Sequence, residues 1–162
     1  MSQQMLIAAL VPAADADDAL SVARGTFDRL VGAGARTPVF ESYATFATPT
    51  SALTERWGTW PTTMAVRQEP GASLLERQWA ETLTAFLDRL EQVGEALRSH
   101  AALELMRDVD GVRRLCSELG ATAGPTTYLY DEYGLGIRHR DRLDAVLAQG
   151  DQVWIVPAEV RY

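Results

Sequence analysis

Met5-Leu6-Ile7-Ala8-Ala9-Leu10-Val11 is the stretch on which the fold turns. These residues are apolar without alternation, and Pro12 ends the run. A strand half open to water alternates with period two, so an unbroken run of this length predicts a strand covered on both faces. Asp15 or Asp17 is placed to cap a following helix, in which Leu20, Phe27, Leu30 and Val31 recur near helical spacing. Gly32 and Gly34 supply its stop. Thr37 to Ala47 then alternates, with Val39, Glu41, Tyr43 and Thr45 on one face and Phe40, Ser42, Ala44 and Phe46 on the other. Strand, helix and strand at this spacing fit a βαβ unit and an antiparallel arrangement equally well.

The strongest periodicity lies further along. Leu75, Trp79, Leu83, Phe86, Leu90, Val93 and Leu97 step by four or three residues, which predicts an amphipathic helix from Ser73 to Arg98. At 1.5 Å per residue it is about 39 Å long. The stripe is expected to be the main beam of the core, with Trp79, Leu83, Phe86 and Leu90 buried. Before it, Thr48-Pro49 opens a short helix that Gly58 closes, and Thr62 to Gln68 reads as a strand that Pro70-Gly71 ends. After it, a helical stretch from His100 to Leu119 breaks near Asp108-Val109-Asp110-Gly111 and buries Val109, Val112, Cys116 and Leu119. Gly120 and Gly124-Pro125 release the chain. Thr126–Tyr130 and Leu135–Arg138 read as strands joined by a turn, Asp141 as the cap of a short helix ending at Gly150, and Val153–Val160 as a last strand. Pro157 marks that strand as an edge.

Composition narrows the chemistry. The 162 residues include no Lys and no Asn, one Cys and two His, and all fifteen basic residues are Arg. No lysine can form a Schiff base, no cysteine pair can form a disulfide or hold zinc, and two histidines cannot build a three-histidine site. The net charge of −7 opposes nonspecific nucleic-acid binding, which requires a basic surface. No run approaches the ~18 apolar residues of a membrane helix. With no basic residue before the apolar stretch and a single Cys116, a cytoplasmic setting is expected. A GC-rich genome accounts for Arg over Lys, and adaptation to high salt is the competing source. There is no dinucleotide fingerprint, Walker loop, G-x-S-x-G, H-E-x-x-H or EF-hand loop.

Three clusters remain as candidate sites. Tyr128, Tyr130, Asp131, Glu132 and Tyr133 form an acidic, aromatic hairpin whose carboxylates are expected at the tip, a pattern suited to protein contact. Trp57 and Trp60, beside Glu55 and Arg56, are either interface anchors or a minicore under a loop. Arg138, His139, Arg140 and Arg142 precede a helix and suit a phosphate or carboxylate, although Asp141 and Asp144 partly neutralise them and no glycine loop accompanies them. Cys116 could act as a nucleophile only with a base such as His100 beside it, and its apolar stripe instead predicts a buried, inert thiol.

These readings converge on a single α+β domain over residues 1–162, with a mixed sheet of five or six strands, a long amphipathic helix, and helices burying one face. The expected function is that of a non-catalytic acidic protein-binding domain, as in an assembly subunit, an inhibitor or an immunity-type protein. Its partner is another protein or a second copy, with no cofactor, metal, nucleic acid or membrane. The alternative is a small enzyme or ligand-binding domain that takes an anionic small molecule on Arg138, His139 and Arg140.

Overall fold

A computed structural model describes residues 2–32, 38–122, 125–150 and 152–162, with backbone alone for 118–122. Thr37, Gly34, Gly124 and the side chain of Leu119, which the sequence reading invoked, lie outside the described residues. The protein is α+β, as expected. Its elements are β1 (Gln4–Pro12), α1 (Ala16–Leu30), β2 (Ser42–Thr45), α2 (Ser51–Trp57), β3 (Met64–Ala65), α3 (Gly71–Arg98), α4 (Ala102–Arg107), α5 (Val109–Thr122), β4 (Leu129–Asp131), α6 (Arg140–Leu147) and β5 (Val153–Arg161). The chain forms two compact units, one of residues 1–82 and 127–162 and the other of residues 83–126.

The first unit holds a mixed five-stranded sheet in the order β2-β5-β1-β4, with β3 also on β5. β1 and β5 pair antiparallel from Gln4↔Arg161 to Pro12↔Val153, whereas β1 and β4 run parallel. The apolar run therefore occupies the middle of the sheet and is covered on both faces. Leu6, Ala8 and Leu10 join Ile155 and Val153 beneath Leu53, Leu74, Leu143 and Val146. Met5, Ile7, Ala9 and Val11 join Val156, Ala158 and Val160 beneath Ala19, Ala23, Phe27 and Leu30 of α1. Helices thus bury both faces of the sheet rather than one.

β5 is a central strand, not an edge. Its odd-numbered residues direct their backbone groups away from β1, since the Val153 carbonyl accepts from Val66 N–H (3.1 Å) and the Arg161 carbonyl from Glu41 N–H (2.7 Å). On that side β3 reaches only to Ile155 and β2 only to Ala158. Pro157 fills the interval between them, so its missing N–H is not needed by the ladder. The strands predicted over 37–47 and 62–68 are correspondingly short, and the Phe46 carbonyl beyond β2 accepts from the Thr62 hydroxyl (3.3 Å).

Caps set the helix boundaries. Asp15 accepts from Asp18 N–H (2.9 Å) at α1, and Gly32 follows that helix with φ 109°. Thr50, not Thr48, caps α2. His139, not Asp141, caps α6, its Nδ1 accepting from Arg142 N–H (3.2 Å). α4 ends at Asp108, inside the predicted break, and the Asp108 carboxylate accepts from Gly111 N–H (2.7 Å). A Cβ at Gly111 would lie 2.1 Å from that carboxylate, so a larger residue there would displace the Asp108 side chain from this bond. α5 continues through Gly120 to Thr122 instead of ending at the glycine.

The long helix departs most from expectation. Its first three turns bury Gly71, Leu74, Gln78 and Thr82, and Trp79 packs half-buried on the core. Beyond them Leu83, Phe86, Leu87 and Leu90 are 44%, 58%, 59% and 57% exposed. Leu83, Phe86 and Leu90 are therefore not core residues. In the second unit, none of the described side chains from Leu83 to Ser117 is buried. Val109 is exposed and Cys116 half-buried, not enclosed as the stripe suggested.

Phe27 is fully buried and its ring lies 5.3 Å from that of Tyr43. Replacing Phe27 by Ala is expected to cost about 3–5 kcal/mol in a denaturant melt. The Tyr43 hydroxyl donates to Asp28 (2.8 Å). Burial, then this hydrogen bond and the Asp28 charge, push the phenol from 10.0 up to about 12. A raised acid stabilises the fold fully below its unfolded value and loses that contribution as pH rises through the folded one. The stability difference between wild type and Tyr43→Phe should therefore shrink between pH 10 and about 12, measured by urea melts across that window.

Candidate functional site

The acidic aromatic hairpin forms, but largely faces inward. Tyr130 packs edge-on to Phe40 at 6.0 Å, and burial holds its phenol well above the ordinary value. Asp131 is 1% exposed. Its carboxylate accepts from Tyr133 N–H (3.0 Å) and Leu135 N–H (2.9 Å), and pairs with Arg142. The Glu132 carbonyl accepts from Thr26 Oγ1 (2.9 Å) and Arg29 (2.7 Å), pinning the turn to α1. Tyr130 and Asp131 are thus interior residues rather than a presented surface. Glu132 is half-buried, while Tyr133 and Leu135 are exposed. Hydrogen bonding to Glu132 raises the Tyr133 phenol above its ordinary value.

The members of the arginine cluster each take a different partner. Arg138 Nε donates to Thr127 Oγ1 (3.1 Å), Arg140 Nε to Asp144 (2.9 Å), and Arg142 pairs with Asp131. His139 turns its Nδ1 to the backbone as a helix cap. Each has an intramolecular task, and Arg142 balances a buried charge that would otherwise be costly.

Trp57 and Trp60 pack half-buried against the sheet core. The Trp57 indole donates to Glu159 Oε2 (2.6 Å), and that of Trp60 to the Trp57 carbonyl (3.0 Å). Glu159 is a buried carboxylate on β5 that also pairs with Arg56. Sequence reasoning missed it, although a lone carboxylate in Val153–Val160 is itself a signal, since a buried charge requires a partner. Near it, Gln4, Trp57, Arg77, Gln78, Tyr128 and others line a cavity of about 160 Å³. The Gln78 Nε2 is buried with no hydrogen-bond partner among the described residues. The next turn is satisfied, because Thr82 Oγ1 donates to the Gln78 carbonyl (3.0 Å) and accepts from Tyr128 N–H (3.2 Å). This cavity is smaller than the roughly 300 Å³ at which small-molecule sites begin.

In the second unit, a groove of about 330 Å³ is lined by His100, Glu104, Asp108, Arg114 and others, and Cys116 does not line it. The nucleophile and base that the sequence allowed are therefore not gathered there. Among the described residues, no group of three His, Cys, Asp or Glu is placed to hold a metal ion. No helix among them is long and apolar enough to cross a membrane.

Among the described residues, exposed apolar side chains gather on the helices of the second unit. Leu83, Phe86, Leu87 and Leu90 occupy one side of α3, and Leu103, Met106 and Val109 are exposed on α4 and α5. Exposed apolar residues scattered singly need no explanation, but a contiguous helical stripe does. Here an element satisfies its backbone hydrogen bonds internally while its side chains bury little, the condition under which isolated helices are marginal.

The Arg142–Asp131 pair yields a sharp test. Arg142→Met should cost about 3 kcal/mol in urea melts, because Asp131 is then left buried without its counter-ion. Glu132→Gln should change stability by no more than ~0.5 kcal/mol.

Comparison with curated proteins and with solved structures found no match to either. A family model described as a domain of unknown function, DUF7995, matches residues 3–162. The chain belongs to that family.

Proposed function

We propose that this chain is a non-catalytic protein-binding domain whose contact surface is the apolar face of the helical arm from Leu83 onward. One observation carries the reading: the arm exposes Leu83, Phe86, Leu87 and Leu90 and buries none of its described side chains up to Ser117. Covering such a stripe removes apolar area from water at about 25 cal/mol per Å², and interface cores are built around anchors of this kind. Engagement of Arg138, His139, Arg140 and Arg142 within the fold supports the anionic-ligand alternative less. The single Cys116 suits a reducing, cytoplasmic setting.

Photo-crosslinking in the native cell tests this. A crosslinker replacing Leu87 is expected to form a specific protein adduct that is lost when Leu83 and Leu90 are changed to Ser. The same probe at Tyr133 reports on the hairpin, whose Tyr133 and Leu135 are the exposed apolar residues of the first unit nearest the turn. Adducts at Tyr133 and none at Leu87 would overturn the arm and favour the hairpin. No protein adduct at either position would overturn the binding role itself.

A further inference from the structure

The apolar stripe of α3, exposed at Leu83, Phe86 and Leu90, keeps a seven-residue period. Leu83, Leu90 and the half-buried Leu97 form one series, and Phe86 and the half-buried Val93 the other, offset by three; Trp79, one repeat earlier, is spent on the sheet core. This is the a and d spacing of a coiled-coil seam. Carboxylates keep the same period on the opposite side, at Glu81, Asp88 and Glu95. The positions flanking the seam are Thr82, Leu87, Arg89, Gly94 and Ala96, and none is acidic.

We propose that the occupant of this seam is a second copy of this chain, paired through α3 about a two-fold axis. The inference rests on the arm being the binding surface, and adds the partner. Two copies of a chain with net charge −7 repel each other unless their carboxylates are kept from the contact. Placing Glu81, Asp88 and Glu95 directly behind the seam does so. A heterologous partner recruited by charge would call for a flank of one sign beside the apolar stripe, and the flank here lacks carboxylates and has Arg89 as its one cation. A lipid surface would call for Lys or Arg across the polar face, which here carries the acidic stripe.

The area sets the strength of the pair. A fully exposed apolar side chain buries on the order of 100 Å², the value implied by 1.5–3 kcal/mol for full burial. Leu83, Phe86, Leu87 and Leu90 are about half exposed, so α3 alone supplies roughly 200 Å² per copy. With Leu103, Met106 and Val109, also exposed on the arm, this rises to roughly 400 Å² per copy, or about 800 Å² for two, the size of a weak, reversible contact. Self-complementary surfaces of this kind close as two-fold pairs.

Sedimentation equilibrium of the purified full chain is the test. The expected mass is twice the 17.8 kDa of one chain at concentrations of about 10 μM and above, with association strengthening as salt screens the two acidic bodies. Phe86→Ser with Leu90→Ser should weaken association at least ~100-fold. Asp88→Ala, behind the seam, should leave it intact. If the double variant fails to fold by circular dichroism, Leu87→Glu serves instead, because its site is already 59% exposed and a carboxylate there faces its own copy. Wild type remaining monomeric at 100 μM would overturn the inference, as would a dimer indifferent to the seam variants. A monomer that still forms an adduct at Leu87 with another protein would leave the arm's binding role standing. A monomer without any adduct would remove both.

Discussion

The pairing of β1 with β5 is the constraint from which the rest of the sheet unit follows. It joins residues from Gln4 to Pro12 with residues from Val153 to Arg161, so the two ends of the described chain meet in the middle of the sheet. Every other strand attaches to one of these two. Because side chains alternate across a strand, this single register assigns each residue of both to one face. It puts Leu6, Ala8 and Leu10 with Ile155 against α2, α3 and α6, and Met5, Ile7 and Ala9 with Val156 and Ala158 against α1. It also sets Glu159 opposite Leu6, on an otherwise apolar face, where Arg56 and Trp57 then become obligatory partners.

Two buried carboxylates organise the polar contacts of this unit, and both rely on arginine. Glu159 takes Arg56 and the Trp57 indole; Asp131 takes Arg142 and two backbone amides. The planar guanidinium stays charged and offers several donors in fixed geometry. In a chain without lysine, these sites show where the identity of the cation matters to the fold rather than to solubility. The same contacts explain why the arginine cluster and the acidic hairpin, separate in the sequence, are one structural feature: Arg142 closes the turn that Asp131 opens.

Much of the architecture was legible in the residues. Met5–Val11 declared a strand covered on both sides, Asp15 capped its helix, and the α3 periodicity marked a long helix to within two residues at its start. What failed shares a cause. Periodicity reports that a face is apolar, not what covers it, so Phe86 and Leu90 read as core although they face outward. Pro157 reads as an edge residue because a proline removes a donor, yet a central strand tolerates it where the neighbouring strands stop. Tyr130 and Asp131 read as a presented tip because turns are usually exposed, and a long-range partner such as Arg142 leaves no local mark. Of the candidate residues, only Tyr133 was placed fully outward at the hairpin, and the apolar arm was visible all along as a stripe given the wrong destination.

The interval at Pro157 has a further bearing on how this protein can meet others. A continuous open edge invites another chain to add a strand, the commonest route to uncontrolled sheet growth and a frequent mode of peptide capture. Here the outer partners of β5 are two short pieces, Ser42–Thr45 and Met64–Ala65, and the opposite border, β4, spans Leu129–Asp131 and is crossed by the Tyr130–Gly136 bridge. Among the described residues, neither border offers an incoming strand a run long enough to template it. The brevity of its margins thus guards the sheet against edge-to-edge growth.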